Sequence, residues 1–323
     1  MTRRITVLGD PHLGRSFVHG VPLARRGERE AMVWKQFEDS LSIKDPLAEF
    51  HICLGDLFDK AVVSYDIIDR AAQLYLSAAR NHPNVTFIVV KGNHDWQRDL
   101  DRISAFDLFT SIVQQQENIQ VVDLFYQVDN DFAVFAWHPT ITAADMVKRC
   151  GGEYRTAYGH WDIEGFGDHN PNLIPLAELA AHGVKFAVTG HIHKTSSWWD
   201  KEHDVEVLVF GSMQPYAHGE EITDDLYVSL TLDEVASTDL DLTKRCVRIF
   251  LNEGETFDDE LDCLQLTIKR ADERDDMPIE TVSLGEFDMM TLFTRAFREA
   301  GVSEKVTTAM VGKYNDVRMA DGL

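Results

Sequence analysis

The amino-acid sequence predicts an α/β fold, in which strands and helices alternate along the chain. One observation is that short apolar runs, rich in β-branched and aromatic residues, recur from the N-terminus onward. Another is that longer stretches with apolar residues at helical spacing lie between the first of these runs. A third is that clusters of carboxylate, amide and imidazole groups follow several runs directly, where ligands of open α/β sheets collect.

These patterns place the elements in order along the chain. Strands are predicted over residues 5–8, 51–54, 86–90, 133–137, 186–189, 205–210 and 226–232. Helices are predicted over residues 28–41 and 66–80, because each stretch has an apolar stripe on one side. The stripes consist of Trp34, Phe37 and Leu41 in the first helix and of Ile67, Ala71, Leu74 and Ala78 in the second. Because such strands end at a common rim of the sheet, side chains far apart in sequence can converge there.

The pattern changes near residue 235, where an acidic, turn-rich segment (233–243) begins. Two further strands are predicted over 246–251 and 263–268, followed by amphipathic helices over roughly 286–300 and 303–314. We therefore predict a core at residues 1–235, a capping region at 236–284 and C-terminal helices at 285–323. The apolar stripes of these last helices either cover their own domain or form a docking surface for a partner helix.

The formal charge of the 323 residues is −23, and the acidic excess lies outside the first hundred residues. Residues 1–100 carry 13 Lys/Arg and 13 Asp/Glu, whereas residues 101–323 carry 18 and 41. Such acidity argues against a protein that holds nucleic acid through a broad basic face. It leaves a phosphodiester substrate open, because bound metal ions are often the largest local charges in such a site.

The sequence also bears on the cellular compartment. No apolar run is long enough to span a bilayer, and the N-terminus lacks a signal-peptide core. Four cysteines lie far apart, without the close pairing of zinc or redox motifs: Cys53, Cys150, Cys246 and Cys263. We therefore expect reduced thiols, a cytoplasmic location and no membrane partner.

Four clusters of metal-binding side chains stand at predicted strand ends. They are Asp10-Pro11-His12, Gly55-Asp56-Leu57-Phe58-Asp59, Gly92-Asn93-His94-Asp95 and Gly190-His191-Ile192-His193. Each histidine taken singly is more typical of a surface or core position, but four such clusters in succession indicate one shared site. A carboxylate can bridge two cations through its two oxygens, which makes Asp56 the candidate bridging ligand. The amide of Asn93 is a hard neutral ligand suited to magnesium or manganese. The set therefore predicts a dinuclear metal site for hydrolysing phosphate esters.

One further ligand is expected for the second metal ion, and two histidines compete for that position. His160 follows Tyr158-Gly159, and glycine suits a close approach of the backbone. His138 also ends a predicted strand, in Phe135-Ala136-Trp137-His138-Pro139. His160 is the preferred ligand, and His138 is expected to be structural or to line the cleft.

These motifs, in this order, resemble the calcineurin-like metallophosphoesterase superfamily. The segment Asp10-Pro11-His12-Leu13-Gly14, followed by a loop with Arg15, Arg25, Arg26 and Arg29, resembles more narrowly the nuclease subunit of SbcCD-type double-strand-break repair complexes, particularly the short phage versions. The resemblance covers roughly residues 1–235. It implies a four-layer α/β/β/α sandwich with a small C-terminal α+β capping region.

The resemblance also implies roles for individual residues. One metal ion would be held by Asp10, His12, Asp56 and His193, and the other by Asp56, Asn93, His160 and His191. His94 matches the catalytic histidine of the family, and Asp59 matches a position that orients this histidine in related phosphatases. Some nucleases of the family have histidine at that position. The metal ions implied are two divalent cations, manganese first and magnesium as the alternative.

The activity that the resemblance implies is hydrolysis of DNA phosphodiesters, as an exonuclease and endonuclease, by water activated by two metal ions. Arg15, Arg25 and Arg26 would bind the substrate, although a solvated charged loop is nearly as good an interpretation. The chain has no G-x-x-x-x-G-K-[ST] motif, so an SbcC-like ATPase with coiled-coil arms is expected as a separate partner, acting with it in DNA repair and recombination. Relatives commonly form homodimers, and a phage-encoded chain would act in the host cytoplasm.

Two other functions remain open at this stage. A small-molecule phosphodiesterase or phosphoprotein phosphatase could use the same dinuclear core, and it would differ from a nuclease in the size of its substrate. A metal-free scaffold that has lost catalysis is the remaining alternative. Such scaffolds usually lack one or more ligands, whereas this sequence has a candidate for each.

Overall fold

The computed structural model describes residues 3–163, 170–221, 225–257 and 260–270, whose strands form three sheets. The first sheet is wholly parallel and has the order β1 (Ile5–Leu8), β2 (Phe50–Cys53), β3 (Thr86–Val90) and β4 (Ile119–Val122). The second contains β5 (Phe125–Val128), β6 (Phe132–Phe135), β7 (Thr156–Gly159), β8 (Phe186–Thr189), β9 (Ser196–Asp200) and β10 (Val205–Val209). The third contains β11 (Tyr227–Thr231), β12 (Cys246–Leu251) and β13 (Gln265–Arg270).

The second sheet has the order β5-β6-β7-β8-β10-β9. Its inner strands β6, β7, β8 and β10 are parallel, and an antiparallel strand closes each edge. The helices that cover the sheets are α1 (Glu28–Leu41), α2 (Tyr65–Asn81), α3 (Ala105–Val113), α4 (Ala143–Cys150), α5 (Leu176–Ala181) and α6 (Leu232–Ser237).

The alternation of side chains along a strand shows how the layers are stacked. On β3, Phe87 and Val89 join the core under α1, α2 and α3, whereas Ile88 and Val90 face residues of the second sheet. The residues of β6 alternate in the same way between the space between the sheets and the core under α4 and α5. Two sheets thus lie face to face with helices on both outer sides, and the predicted α/β/β/α sandwich is confirmed.

The third sheet is wholly parallel and has an apolar core of its own with α6. A capping box between Thr231 and Glu234 starts α6 inside the segment predicted to be turn-rich, so that prediction was wrong there. The domain boundaries stay a prediction, and the predicted helices after residue 285 lie outside the described residues. In the part of the chain that the structure describes, no helix has the length and apolarity to cross a membrane.

Candidate metal centre

The polar clusters converge at the carboxyl ends of strands from both main sheets. β1, β2 and β3 of the first sheet and β7 and β8 of the second each end just before one of them. Three overlapping groups of side chains could each hold a metal ion, because the ligand atoms within each group lie within 4.8 Å of one another. These groups are Asp10, His12 and His193; His12, Asp56 and His94; and Asp56, His160 and His191. Asp56 and His12 each belong to two of the groups, and of these two residues only Asp56 has two oxygens with which it could bridge a pair of cations.

On the side of the second predicted metal ion, three side chains turn their coordinating atoms toward one point. The amide Oδ1 of Asn93 lies 2.8 Å from His160 Nε2 and 2.9 Å from His191 Nδ1. Oδ2 of Asp56 lies 3.4 Å from the same His160 nitrogen. A carboxylate, an amide oxygen and two imidazoles make a donor set of hard and intermediate ligands, which fits manganese or magnesium better than a soft cation.

The side of the first predicted metal ion has a similar arrangement. Nε2 of His12 lies 3.0 Å from Nε2 of His193 and 3.7 Å from Oδ2 of Asp56. Asp10 is fully buried, and neither of its carboxylate oxygens has a hydrogen-bond partner among the described residues. A buried carboxylate without a partner is costly unless a cation balances it. The residues therefore fit a pair of divalent ions.

Three of these residues adopt a backbone conformation that is rare outside glycine. The φ angles of His12, Asp56 and His191 are 45°, 47° and 71°, in the left-handed region. Each such residue costs on the order of 1–3 kcal/mol, so packing of the surrounding sheets must stabilise the strained turns. Strained residues in three neighbouring turns are a common feature of functional sites.

Glycines let the backbone turns approach the ligands. A Cβ on Gly92 would lie 2.2 Å from both the main-chain nitrogen and Oδ1 of Asp56. A Cβ on Gly55 would lie 2.3 Å from Nδ1 of His160, and Gly55 also has a φ of 123°. Any larger residue at either position would displace a predicted ligand, which explains why glycine precedes these clusters.

Each of three predicted histidine ligands has its outer ring nitrogen held by an acceptor. Nδ1 of His160 donates to the Leu54 carbonyl at 2.9 Å, and Nδ1 of His193 donates to Glu220 Oε1 at 3.1 Å. Nε2 of His191 lies 2.6 Å from Asp162 Oδ1 and donates to it. The acceptors hold the outer nitrogen of each ring, so the other nitrogen faces the site and can bind a metal ion once it carries no proton.

The roles of Glu220 and Asp162 were not predicted from the sequence. Asp162 stands two residues after His160, which is a weak local signal. Glu220 lies on an irregular segment without any motif, and its Oε2 also accepts a hydrogen bond from Tyr216 N at 2.7 Å. Tyr216 packs on the site, because its ring centroid lies 5.3 Å from that of His12 and 5.6 Å from that of His193.

The electrostatics of the site favour a cation. Burial raises the pKa of Asp10, and burial lowers the pKa of His12 to about 3, so this imidazole is neutral. Burial also opposes the charged forms of Asp56 and His160, but their mutual attraction is stronger. It holds the pKa of Asp56 well below its usual range and, with help from Asp10, raises the pKa of His160 to about 9. The charge of Asp56 is thus balanced by a protonated His160, and a bound divalent ion can take the place of that proton.

Asp95 is a structural member of the third cluster. It is fully buried, and its carboxylate accepts hydrogen bonds from the main-chain N–H groups of Leu57, Phe58 and Gly92. Burial raises the pKa of Asp95 to about 7. The side chain thereby ties the turn after β3 to the turn after β2, the two turns that carry Asn93 and Asp56.

His94 is exposed at the rim and lies next to Asp56, whose Oδ1 accepts a hydrogen bond from His94 N at 2.9 Å. The ring Nδ1 of His94 lies 2.7 Å from the main-chain oxygen of Asp59. The carboxylate of Asp59 lies elsewhere, 3.5 Å from Arg15 Nη1 and 3.7 Å from His12 Nδ1. The structure thus joins His94 to Asp59 through the main-chain carbonyl and not through the carboxylate, and a catalytic role for Asp59 stays a prediction.

The predicted substrate-binding arginines occupy different surroundings. Arg15 lies over the ring of Tyr216, 4.9 Å from its centroid, at the edge of the metal centre. Arg25 pairs with Glu28 at 2.7 Å and with Asp262 at 3.1 Å, so its charge serves the contact between its loop and the segment before β13. Arg26 is exposed. Only Arg15 has contacts with side chains of the site.

His138, the competing ligand candidate, is engaged in its own loop. Its Nδ1 accepts hydrogen bonds from the main-chain N–H groups of Thr140 and Ile141, at 3.1 and 3.0 Å. Its ring packs on Trp96, with the centroids 4.8 Å apart. His160, in contrast, belongs to a ligand group with Asp56. The geometry thus agrees with the preference for His160.

More than half of the chain matches one family of known proteins. Residues 3–195 match the family described as calcineurin-like phosphoesterase. Among solved structures, the chain is similar to a dimetal phosphatase from Danio rerio at 12% identity, and the alignment covers 66% of this chain and 88% of that chain with a TM-score of 0.41. No curated protein matches the chain.

Proposed function

This chain belongs to the calcineurin-like phosphoesterase family and is a metal-dependent hydrolase, and we propose that its substrate is DNA. In this proposal it is the nuclease subunit of an SbcCD-type complex, and it hydrolyses phosphodiester bonds as an exonuclease and endonuclease in DNA repair and recombination. Phosphoester hydrolysis is supported by the convergence of seven ligand-type side chains and an exposed histidine at one rim, and a polyanionic substrate is supported by Arg15 beside them.

The chemistry divides between the cofactor and the protein. Two divalent ions, manganese in our proposal, would activate water and neutralise charge on the phosphate oxygens when bound. Asp10, His12, Asp56 and His193 would hold one ion, and Asp56, Asn93, His160 and His191 the other. The protein fixes these groups before substrate arrives, so little reorganisation is needed during the reaction.

His94 is proposed as the residue that acts on the leaving group. Since the Asp59 carbonyl holds Nδ1–H, Nε2 is the nitrogen that can face a substrate. When the ring is protonated at both nitrogens, Nε2–H can donate a hydrogen bond or its proton to the departing 3′-oxygen. A positioned general acid of this kind typically contributes about 10²–10⁴-fold to the rate.

Arg15 supports a polyanionic substrate. It lies beside the predicted metal ligands and is partly exposed, and both Asp59 and the ring of Tyr216 hold its side chain. In a chain with a charge of −23, a cation at this position offers one of the phosphates next to the scissile bond a partner.

The proposed partners are an ATPase and a second copy of the chain. An SbcC-like coiled-coil ATPase would supply the nucleotide-binding motif that this sequence lacks, and it would dock on residues 285–323, which lie outside the described residues. We expect a homodimer to bury the exposed side chains of Val62, Tyr65 and Ile103. The hydrogen bond from Ala105 N to Ala61 O brings their two loops together. Sedimentation should show a dimer that Ile103→Glu dissociates.

The test is a manganese-dependent cleavage assay on linear and hairpin DNA, with and without the ATPase. Bis(p-nitrophenyl) phosphate, a cyclic nucleotide and a phosphopeptide serve as small substrates, and His94→Ala serves as the inactive control. We expect DNA cleavage that chelators abolish. Cleavage of the small substrates without any cleavage of DNA would overturn the nuclease proposal in favour of a phosphodiesterase or phosphatase.

A further inference from the structure

One face of the third sheet is polar and carries a half-buried arginine. Ser229 of β11, Arg248 of β12 and Thr267 of β13 are neighbours in register. Side chains in register on adjacent strands point to the same side of a sheet. Their neighbours along the strands, such as Val228 and Val247, point to the other side and form the apolar core with α6.

The guanidinium of Arg248 is held in place from two directions. Its Nε donates a hydrogen bond to Ser229 Oγ at 3.0 Å, and its central carbon lies 4.9 Å from the centroid of the Phe250 ring. Neither of these contacts uses the two terminal amino groups, which have no hydrogen-bond partner among the described residues. In residues 3–163, 170–221, 225–257 and 260–270, no carboxylate pairs with Arg248, whereas Arg3 and Arg25 each pair with at least two.

Contacts connect this arginine to the metal centre. Nδ1 of His218 lies 3.5 Å from the same Ser229 oxygen, and the His218 ring packs on Tyr227. His218 belongs to the short turn that carries Glu220, the acceptor for the predicted ligand His193. Tyr227 OH donates to the carbonyl of Tyr216, the ring that packs on the site. A series of contacts through Ser229, His218 and the turn with Glu220 thus links Arg248 to the predicted ligand His193.

A second cation contributes to the same region. The pKa of His218 is lowered to about 4. Burial is the largest cause, and the positive charges of Arg248 and of Lys269 on β13 add to it. His218 is therefore neutral near pH 7 and does not add to the repulsion between the cations.

We propose that Arg248, together with Ser229 and Thr267, forms a subsite for the phosphodiester backbone of a DNA strand whose scissile phosphate lies at the metal centre. The inference rests on the proposed nuclease function and names a surface by which the enzyme holds a polymer. A guanidinium fork with an ordered stem matches the paired oxygens of a phosphate, and two hydroxyl groups beside it can donate further hydrogen bonds.

The first test measures binding in a background without cleavage. Binding of a fluorescein-labelled oligodeoxynucleotide to full-length His94→Ala is compared with binding to His94→Ala/Arg248→Gln by anisotropy over a range of salt concentrations. We expect about tenfold weaker binding and a reduction of about one in the slope of log K against log salt. Compared with Arg248→Gln, Arg248→Lys should restore the salt slope but only part of the affinity, because lysine keeps the charge and lacks the paired N–H donors of a guanidinium.

The matched control is Lys185→Gln, which removes the same charge at the start of β8. Lys185 pairs with Asp204, away from the third sheet, so this variant should bind DNA like the parent. Ser229→Ala should weaken binding by an intermediate amount, since it removes the anchor of Arg248 Nε. Thermal melting of each variant tests whether the fold is intact.

The second test separates the subsite from the chemistry. In the protein that keeps His94, Arg248→Gln should lower the ratio of DNA cleavage to bis(p-nitrophenyl) phosphate hydrolysis about tenfold. If the wild type cleaves DNA and Arg248→Gln matches it in affinity, salt slope and this ratio, the subsite is refuted while the nuclease function stands. If the wild type neither binds nor cleaves DNA, both proposals fall together.

Discussion

His94 and Asp59 are joined through the backbone: Nδ1 of His94 donates to the main-chain oxygen of Asp59 at 2.7 Å. The carboxylate of Asp59 lies instead between Arg15 and His12. A main-chain carbonyl orients a histidine as well as a carboxylate does, but it adds no full negative charge next to the ring. The catalytic group proposed here is therefore positioned by the turn after β2 and not by the charge of a partner side chain.

Replacing His94 by alanine should remove turnover without removing the metal ions. We expect kcat to fall by about 10²–10⁴-fold, because the group that acts on the leaving oxygen is lost. His94 lies at the exposed rim, and the predicted ligands keep their contacts with one another. Manganese content by elemental analysis should stay at the wild-type value. Loss of most of the metal in this variant would show that His94 is a ligand.

Replacing Asp59 by alanine should have a much smaller effect than replacing His94. The main-chain oxygen that orients His94 is kept, and only the contacts of the carboxylate with Arg15 and His12 are lost. We expect kcat to fall less than tenfold, on the scale of an indirect contact worth about 1 kcal/mol. The measurement is the steady-state rate on DNA and on bis(p-nitrophenyl) phosphate. A loss as large as that of His94→Ala would restore the carboxylate to the catalytic pair.

Glu220→Gln and Asp162→Asn should weaken metal binding, each on its own side of the centre. Carboxylates that hold the outer nitrogen of a histidine ligand are typically worth about 10–100-fold in metal affinity. Glu220 holds His193 and Asp162 holds His191, which are assigned to different ions. Calorimetric titration with manganese should show one weakened site in each variant.

The control for these two variants is Glu206→Gln, an exposed carboxylate on β10 that should leave both sites intact. Wild-type affinity at both sites in Glu220→Gln and Asp162→Asn would contradict the assignment of the outer acceptors.

Gly92→Ala tests the position of the bridging carboxylate. The added methyl would lie 2.2 Å from Asp56 Oδ1 and from the main-chain nitrogen of that residue, so the turn must move. We expect a loss of about 1–3 kcal/mol in the free energy of unfolding, as for an overpacked core. We also expect loss of both metal ions, because Asp56 serves both. Urea unfolding and elemental analysis provide the two values, and a stable variant with two bound ions would contradict this geometry.

The pH dependence of stability should show the titration of His51. This side chain is buried in β2, and burial lowers its pKa to about 4, against 6.5 for an ordinary histidine. Between these values the unfolded chain binds a proton that the folded chain does not, so stability is lost as the pH falls. From pH 7 to pH 5 the loss is about 2 kcal/mol.

The measurement is urea unfolding of the chelator-treated protein at both pH values, compared with His51→Gln. The variant cannot titrate at this position, so its loss between pH 7 and pH 5 should be smaller by that amount. Equal losses in the two proteins would show that His51 is not the titrating group.

The parts of the fold with strong local patterns could be predicted from the sequence. The prediction of residues 28–41 as a helix agrees with α1: of its predicted stripe, Phe37 and Leu41 are buried and Trp34 packs against the same core. β3 was equally clear, because five apolar or β-branched residues follow one another. Buried parallel strands are easy to predict from such continuous apolar runs, since both of their faces are apolar.

The elements that were not predicted lack such a pattern. β9 is an edge strand with Ser196, Ser197 and an exposed Trp199, so only one side of its backbone is paired. α3 has nine residues, and its clearest signal was the capping box of Ser104 and Asp107. Short and partly exposed elements form because of tertiary packing, which a single sequence does not display.

In the metal centre too, the residues with a local sequence pattern could be predicted and the others could not. The predicted ligands lie beside glycines at strand ends, so their convergence followed from the topology of parallel sheets. Glu220 and Asp162 act through single contacts across the fold, which no local pattern encodes. The sequence also could not tell whether Asp59 would use its carboxylate or its carbonyl, because both choices need the same residue.

The predicted ligands follow strands of two different sheets, and this affects the stability of the fold. Asp10, Asp56 and Asn93 follow strands of one sheet, while His160 and His191 follow strands of the other. A bound pair of ions therefore cross-links the two halves of the sandwich, and occupancy at a hundred times Kd adds about 2.7 kcal/mol per independent ion to the free energy of unfolding. Depletion of the metal would make the enzyme easier to degrade as well as inactive.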